Sequence, residues 1–363
     1  MNSVGPEQAC PWAFSIYFVL FTLPAFVMGR MCDKYGIRKV TAFGAILTGI
    51  GLTLCSQISS LVQLYLCFGI IGLGISTVFV PSTSTVSRWF VKKRGIAVGI
   101  AVTASGFGMF IFSPLTEISV TNLGWRSTFL IYGFFTLVTL FISSLLFKQD
   151  PSEVGLLPYG CDGTTSSKNL KENENSATDV MRRRSFWYLY LIILLAHVSY
   201  FMFSVHIVPH AIRLGISSIA AATALTIAGI FNMPAKIAAG LIFDKFKSTN
   251  LLAFFLAIQT ISAFILVISN NVWLIYLASA IMGAGYGSWT VVYTITLSEL
   301  YGTKNLGLIF GIQDSGVGIG GIIGPYLAGY IFDINGSYHP AFLFGAVMMT
   351  LTVFFAIMLH KKK

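Results

Sequence analysis

Eleven long apolar segments follow one another along this 363-residue chain, and no other feature limits its fold as strongly. A helix needs about 20 mostly apolar residues to cross the hydrocarbon layer of a membrane. Hydrophobic residues make up 55% of the chain and charged residues only 10%. We therefore predict an all-α polytopic membrane protein. The predicted spans are 12–32, 40–58, 61–86, 95–119, 125–147, 186–212, 217–243, 251–269, 272–297, 306–332 and 339–359.

Basic residues lie almost entirely on one side of the predicted membrane. If successive spans alternate in direction, 20 of the 23 lysines and arginines fall in one set of loops. Arg126 and Arg213 fall on the opposite side, and Lys236 lies inside a span. Cytoplasmic loops are enriched in Lys and Arg. This uneven distribution predicts a cytoplasmic C-terminus, most simply in the plasma membrane. It also accounts for the net charge of +10, so we predict no nucleic-acid partner.

The chain contains an internal repeat. The pattern Gly-x-x-x-Asp-Lys at Gly29 recurs 211 positions later at Gly240. Five such matches, in order and at nearly constant offset, indicate a duplicated helical bundle with its two copies in parallel. The other four matches have offsets of 211 to 213 and begin at Gly72 and Gly283, Gly95 and Gly307, Gly106 and Gly318, and Phe129 and Phe342.

The repeat divides the chain into two bundles and a linker. We predict an N-terminal bundle of five spans over 1–147, a cytoplasmic linker over 148–184 and a C-terminal bundle of six spans over 185–363. The linker run 164–179 has almost no apolar residues and is expected to be disordered. The offset places a partner of span 186–212 before Met1, so we expect the first bundle to lack its first helix in this sequence. A misplaced start or a truncated product explains this, with a genuine eleven-helix protein as the alternative.

The segment that begins at Gly29 resembles a family signature. Residues 29–39, Gly-Arg-Met-Cys-Asp-Lys-Tyr-Gly-Ile-Arg-Lys, are similar to the G-x-x-x-D-[RK]-x-G-[RK]-[RK] motif between helices two and three of the major facilitator superfamily. Residues 88–108 and the segments at Gly124, Leu156 and Gly329 resemble the monocarboxylate transporters and oxalate/formate antiporters. The resemblance implies two pseudo-symmetric bundles, 6+6 in the family and 5+6 here.

Eight residues of this motif and its repeat are predicted to gate a transporter. Glycines remove side chains where helices close on each other. A carboxylate at a span end can accept hydrogen bonds from a neighbouring helix N-terminus, and basic residues can bridge loops or bind anionic lipid. The resemblance implies that the cluster latches one gating state, and simple marking of topology is the alternative. The residues are Gly29, Asp33, Lys34, Gly36, Arg38, Lys39, Gly240 and Asp244.

Lys236 points most directly to a substrate. A charged group within a span is costly and usually functional. Lys236 lies eight residues before Asp244, about 12 Å from that end of the span at 1.5 Å per residue, and Asp314 lies at a similar depth in its own span. The two groups could pair in an empty carrier, with an organic anion then competing for Lys236. A permanent ion pair, or snorkelling of the lysine, is the alternative.

The resemblance refines this site. Monocarboxylate transporters carry an acid and, four residues later, an arginine in helix eight, where this chain has Asn232 and Lys236. The cation is retained, which favours a carboxylate substrate, whereas the lost acid leaves Asp314 as the candidate for proton coupling. The antiporters carry a helix-eleven lysine at the position of Gln313, and one cation in place of two argues against a small dianion.

Aromatic residues and histidines provide further candidates. Trp289 and Tyr293 share one helical face with Tyr286 and resemble cavity aromatics of the antiporters, and packing in the core or at the membrane interface is the alternative. His197 and His206 could relay protons, although satisfied core histidines are the stronger expectation.

These observations predict a secondary transporter of a small organic anion, most simply a monocarboxylate. It would work by alternating access, as a monomer among membrane lipids, with protons as the candidate coupling ion. A transporter of a neutral solute, with Lys236 and Asp314 as a structural pair, is one alternative, and a truncated or non-transporting membrane sensor is another. The chain has no HExxH, GxSxG or CxxC motif, so we predict no enzyme activity, no cofactor and no metal site.

Overall fold

The structure is a computed structural model that describes residues 13, 16–160, 177–246, 250–302 and 305–360. Some sequence predictions lie outside the described residues. They are the first residues of span 12–32, most of the linker run predicted to be disordered, and seven basic residues, namely Lys168, Lys171, Lys247, Lys304 and Lys361 to Lys363.

The helices before the linker follow the predicted spans with small shifts. Gly36, with a φ of 88°, turns the chain between the first two helices, and the side chain of Ser60 caps the third by accepting the N–H of Gln63 at 3.3 Å. The predicted span 61–86 is interrupted at 77–78. The helices are α1 (Ile16–Tyr35, with a turn at 23–24), α2 (Ile37–Cys55), α3 (Leu61–Ser76), α4 (Phe79–Trp89) and α5 (Arg94–Leu146).

The long element α5 consists of two helices that meet at Gly124. This residue has φ 77° and ψ 158°, a backbone conformation that residues with a Cβ rarely adopt. The predicted spans 95–119 and 125–147 lie in the two arms on either side of it. The glycine therefore provides the turn that the sequence assigned to a short loop.

The helices after the linker form a regular series. The short helix α6 begins within the run predicted to be disordered, so residues 177–179 of that run are helical instead. At the start of α10, the side chain of Asn271 accepts the N–H of Leu274 at 2.9 Å. The helices are α6 (Ala177–Arg182), α7 (Arg184–Arg213), α8 (Ser218–Phe246), α9 (Asn250–Val267), α10 (Val272–Tyr301), α11 (Leu306–Asn335) and α12 (His339–His360).

Within the described ranges, nine helical segments are long and apolar enough to cross a membrane. The predicted spans 95–119 and 272–297 are helical but are not among the nine. The first arm of α5 includes the shorter apolar helix Arg94–Ala104, and α10 contains many glycine, serine, tyrosine and tryptophan residues.

The described helices pack into two compact units. The first comprises Met1–Trp89, Gly108–Glu174 and Thr303–Gly318. In it, α2 packs against α3 around Cys55, Cys67 and Ile71, and a Cβ on Gly133 of α5 would meet the backbone N of Thr53 in α2 at 2.8 Å. Small residues therefore allow the close helix packing that membrane proteins need.

The second unit comprises Phe90–Phe107, Asn175–Gly302 and Ile319–Lys363. Its apolar core lies among α7, α8, α9, α10 and α12, with Phe203, Ile207 and Phe342 almost completely buried. Each unit thus contains a short segment from the other side of the linker. The domain boundaries predicted from the repeat stay a prediction.

Candidate functional site

Asp244 caps the start of α5 within the second unit. Its carboxylate, in the last turn of α8, accepts hydrogen bonds from the backbone N–H groups of Gly95 at 2.8 Å and Ile96 at 3.0 Å. These amides belong to the first turn of a helix, where they have no partner within the helix itself. The positive end of the helix dipole also favours a carboxylate at this place. Asp244 therefore joins the end of α8 to the beginning of α5.

Glycines let the backbones of α5 and α8 touch next to this cap. A Cβ on Gly240 would overlap the carbonyl oxygen of Gly95, and a Cβ on Gly95 would overlap the carbonyl oxygen of Gly240. One turn further along, a Cβ on Gly99 would lie 2.9 Å from the carbonyl oxygen of Lys236. The glycine spacing that predicted close packing is confirmed at this crossing.

Lys236 lies in the same crossing. The residue is 5% exposed, and its Nζ donates a hydrogen bond to the carbonyl oxygen of Val102 in α5 at 3.3 Å. Lys236, Gly240 and Asp244 are spaced by four residues and therefore lie along one stripe of α8. The predicted substrate lysine and the predicted latch carboxylate belong to one helix contact.

A second crossing, between α1 and α11 in the first unit, repeats this geometry. Asp33 accepts a hydrogen bond from the backbone N–H of Leu308 at 3.1 Å. A Cβ on Gly29 would overlap the carbonyl oxygen of Gly307. The two latch carboxylates of the repeat therefore cap two equivalent helix starts.

The repeat offsets relate the two crossings position by position. An offset of 211 relates α1 to α8, and an offset of 212 relates α5 to α11. Further from the capped helix start, the contact of Gly99 with the carbonyl oxygen of Lys236 also has a counterpart. A Cβ on Gly311 would meet the carbonyl group of Ala25. At this depth each crossing has one ionisable residue. In the second unit it is Lys236 on α8, and in the first unit it is Asp314 on α11, the helix equivalent to α5. The equivalent positions are Ala25 and Lys236, Gly99 and Gly311, and Val102 and Asp314.

Gln313 and Asp314 lie in the part of α11 that belongs to the first unit. Gln313 is completely buried and Asp314 is 9% exposed. In the part of the chain that the structure describes, the Oδ2 atom of Asp314 has no hydrogen-bond partner. Burying such a group costs free energy, and burying it as a charge costs more. Lys236 belongs to the second unit, so its predicted pairing with Asp314 stays a prediction.

Arg88 holds the Asp33 carboxylate together with the start of the linker. Its Nη2 lies 2.6 Å from Oδ1 of Asp33, and its Nη1 lies 3.2 Å from Oδ2 of Asp150. The neighbouring Gln149 accepts the backbone N–H of Ile37 at 2.9 Å. The role of Arg88 could not be predicted from the sequence, because its partners are 55 and 62 positions away and carry no local pattern.

The remaining motif residues lie at the turn between α1 and α2. Gly36 has a left-handed φ of 88° there, which explains the glycine in conformational terms. Lys34, Arg38 and Lys39 are exposed, and the Lys34 amine lies 5.1 Å from the centre of the Tyr35 ring. The gating role of these residues stays a prediction.

Asn232, Trp289 and Tyr293 lie within the second unit. Asn232 donates a hydrogen bond from Nδ2 to the carbonyl oxygen of Gly283 at 3.1 Å, which links α8 to α10. The Trp289 indole N–H donates to Oε1 of Gln259, and the Tyr293 hydroxyl donates to a backbone carbonyl of α7 at 3.3 Å. Trp289 is 0% exposed and Tyr293 3%. Their predicted contact with substrate stays a prediction.

A histidine and two tyrosines form a polar cluster that was not predicted as a unit. His197 donates from Nδ1 to the carbonyl oxygen of Ile193 at 2.8 Å, which leaves Nε2 to accept from the Tyr286 hydroxyl at 3.3 Å. The ring of Tyr200 stacks on Tyr286 with a centroid distance of 3.9 Å. His197 is thus a satisfied buried histidine, whereas His206 has one ring nitrogen with a partner and one without among the described residues.

Known proteins resemble the whole chain. The family description that matches is "Major Facilitator Superfamily", over residues 4–287 and 252–363. Monocarboxylate transporter 13 of Bos taurus is 28% identical over 96% of this chain and 82% of its own length. Monocarboxylate transporter 11 of Homo sapiens is 25% identical over 93% of this chain and 71% of its own length.

Solved structures resemble the fold. The E. coli fucose:proton symporter has a TM-score of 0.75 at 15% identity, covering 97% of this chain and 92% of the symporter. A proton:xylose symporter has a TM-score of 0.71 at 14% identity, covering 98% of this chain and 86% of that structure. The chain therefore belongs to the major facilitator superfamily, as a multi-pass integral membrane transporter related to the monocarboxylate transporters.

Proposed function

We propose that this protein is a secondary active carrier of a small organic anion, a monocarboxylate, and has no enzyme activity. The observation that carries the proposal is the amine of Lys236, which is buried inside a predicted membrane span and donates there to a backbone carbonyl group. Placing a cation there costs several kcal/mol unless a partner compensates for the lost water. A substrate carboxylate is the partner that would stabilise it most strongly.

The number of cations supports a single carboxylate on the substrate. Position 313, where a second cation would face a dianion in the antiporters, holds the neutral and fully buried Gln313. A second carboxylate would therefore lose its water without gaining a salt bridge from that position. We propose a monoanion for this reason.

The two glycine crossings support alternating access. Each joins a helix from before the linker to a helix from after it, at the ends where Asp33 and Asp244 lie. We propose that each crossing separates when the carrier opens toward the cytoplasm, the side on which most basic residues are predicted to lie. We propose that the carrier resides in the plasma membrane with its C-terminus on this side.

We propose that Asp314 carries a coupled proton. It is a buried carboxyl group whose Oδ2 atom has no hydrogen-bond partner in the described part of the chain. A neutral carboxylic acid is far less costly to bury than a carboxylate, so closing the crossing around Asp314 favours the form that carries a proton. The resembling solved structures include proteins named as proton symporters.

The anion proposal is tested by replacing Lys236. We expect Lys236→Met to lower uptake of lactate, propionate and benzoate into proteoliposomes by about 100-fold, because a lost ion pair of roughly 3 kcal/mol corresponds to that factor. Lys245→Met is the matched control, since Lys245 lies on the same helix but is exposed. Equal uptake by the two variants would remove Lys236 from the substrate site.

The proton proposal is tested by Asp314→Asn. This variant keeps the size and hydrogen-bonding capacity of the side chain but cannot exchange a proton. We expect it to exchange substrate across the membrane at equilibrium while losing accumulation driven by a pH gradient. Normal proton-driven accumulation by Asp314→Asn would contradict the assignment.

A further inference from the structure

We propose that the backbone of α5 competes with the substrate for the amine of Lys236, so that a bound carboxylate releases the crossing between α5 and α8. Gly99 and the carbonyl group of Val102 would act as positioning groups for the lysine. The inference rests on the proposed function and adds to it a direct connection between the substrate site and one latch.

The crossing holds Lys236 at two points. The Nζ atom donates to the carbonyl oxygen of Val102 at 3.3 Å, and the backbone of Lys236 itself touches α5, since a Cβ on Gly99 would lie 2.9 Å from its carbonyl oxygen. The amine and the main chain of one residue are therefore both held by the same helix. A movement of the amine therefore affects the close packing of α8 against α5.

This packing leaves no space for an anion between the two backbones. A carboxylate that approaches Nζ from the side of α5 must separate the helices, and one that approaches from elsewhere must draw the amine away from Val102. Hydrogen bonds between two charged groups are stronger than those from an amine to a neutral carbonyl, so the carboxylate is favoured in this competition. In either case the contact near Lys236 loosens.

The loosening is expected to reach Asp244. Asp244 and Gly240 lie two turns and one turn beyond Lys236 on the same stripe of α8, and the Asp244 carboxylate holds the N–H groups of Gly95 and Ile96 at the start of α5. Closely packed helices transmit strain along their contact, so a separation near Lys236 is expected to spread through Gly240 toward Asp244. Anion binding would thus expose the first amides of α5.

The equivalent crossing in the first unit provides an internal comparison. It has the same capped helix start and the same glycine contacts, but Ala25 takes the place of Lys236. There is no amine at this position to attract a carboxylate. A bound anion would therefore act directly on the crossing of α5 and α8 and not on the crossing of α1 and α11.

Hydrogen–deuterium exchange of the full chain in lipid nanodiscs tests the inference. Lactate, propionate and benzoate are added separately, and exchange is followed in peptides that cover 94–104 and 305–316. For the anion with the highest uptake that depends on Lys236, we expect at least about tenfold faster exchange at 94–104, because the amides of Gly95 and Ile96 each lose a hydrogen bond to a charged group. Exchange at 305–316 should remain unchanged, and the Lys236→Met protein should not respond.

A second variant tests the role of Gly99. The Cβ of Gly99→Ala would push α5 away from Lys236, so exchange at 94–104 should be fast without anion, and the KM of uptake should fall several-fold because the competing carbonyl is further away. The control Gly229→Ala, in the same helix as Lys236, adds a Cβ in open space and should change neither quantity. A purely structural role of Gly99 would lower the maximum rate and leave KM unchanged.

The outcomes separate the two proposals. If uptake depends on Lys236 but exchange at 94–104 does not respond to the transported anion, the competition is wrong and the anion carrier stands. If the anion accelerates exchange equally in both peptides, the direct action on one crossing is wrong. If Lys236→Met transports these anions as the unchanged protein does, or if none of the three is transported, the proposed function itself fails.

Discussion

A single methyl group at Gly240 should weaken the crossing of α5 and α8. In Gly240→Ala, the new Cβ would lie 2.6 Å from the carbonyl carbon of Gly95 and 3.1 Å from the N atom of Ile96, and closer still to the Gly95 oxygen. All of these are backbone atoms, which cannot turn away as a flexible side chain would. The helices must therefore separate by about 1 Å to restore ordinary contact distances.

The size of the effect follows from the two hydrogen bonds beside the glycine. Asp244 accepts N–H groups at 2.8 Å and 3.0 Å, and an added 1 Å takes both beyond the range of a hydrogen bond. Each bond to a charged group contributes about 1.5 kcal/mol or more. Loss of both disfavours the closed crossing by roughly 3 kcal/mol, which corresponds to about a 100-fold change in its equilibrium.

The assay compares Gly240→Ala with Gly229→Ala in the same helix. A Cβ on Gly229 meets no atom within 4 Å, so this control should fold normally and gain up to about 1 kcal/mol of helix stability. We expect Gly240→Ala to insert into proteoliposomes but to lose at least tenfold in the initial rate of substrate uptake. If both variants transport at the same rate and exchange the amides of 94–104 equally slowly, the reasoning from backbone overlap is refuted.

Three further predictions concern stability. Gly124→Ala should lower the melting temperature in detergent, because a φ of 77° costs a residue with a Cβ about 1–2 kcal/mol although the space around it is open; an unchanged melting temperature would show that the two arms of α5 can meet without this strain. Arg88→Met should destabilise the protein by about 3 kcal/mol by leaving the Asp33 carboxylate, 14% exposed, without its cation, and the double variant with Asp33→Asn should recover most of the loss; absence of recovery would mean that Arg88 acts otherwise. Trp289→Phe should lower the free energy of unfolding by about 1–3 kcal/mol, because it removes the donor to the buried Gln259. Full stability of this variant would contradict the role of the hydrogen bond, and a raised KM in the uptake assay would support the predicted substrate contact.

The crossings could be predicted from the sequence because their chemistry depends on residue types at regular spacing. Close approach of two helices requires glycine on both, and a cap requires a carboxylate at the end of one helix. Both requirements appear in the sequence as Gly29 with Asp33 and, 211 positions later, Gly240 with Asp244. The repeat then specified which helices are equivalent, although it did not specify which of them touch.

The partners of the buried polar groups could not be predicted in the same way. The amine of Lys236 donates to the backbone carbonyl oxygen of Val102. Every residue has such a carbonyl group, so the residue type does not indicate which one accepts. The pairing of Trp289 with Gln259 depends on how α9 and α10 are rotated against each other, and the hydrophobic pattern leaves this rotation open, because the apolar residues of α10 are spread around the whole helix. Long-range partners of this kind follow from the packed fold.

Duplication explains why the two crossings resemble each other, and divergence explains how a substrate can distinguish them. A carrier built from two identical crossings would respond to a ligand equally on both, so a single anion would have no reason to act at one place. The lysine at position 236 has only a methyl group as its counterpart at Ala25, and the carboxyl group at position 314 has an isopropyl group as its counterpart at Val102. Under the proposed function, one crossing would respond to an anion and the other to a proton. If transport requires each crossing to separate, an anion at Lys236 and a proton at Asp314 would be coupled through that conformational step without having to touch each other.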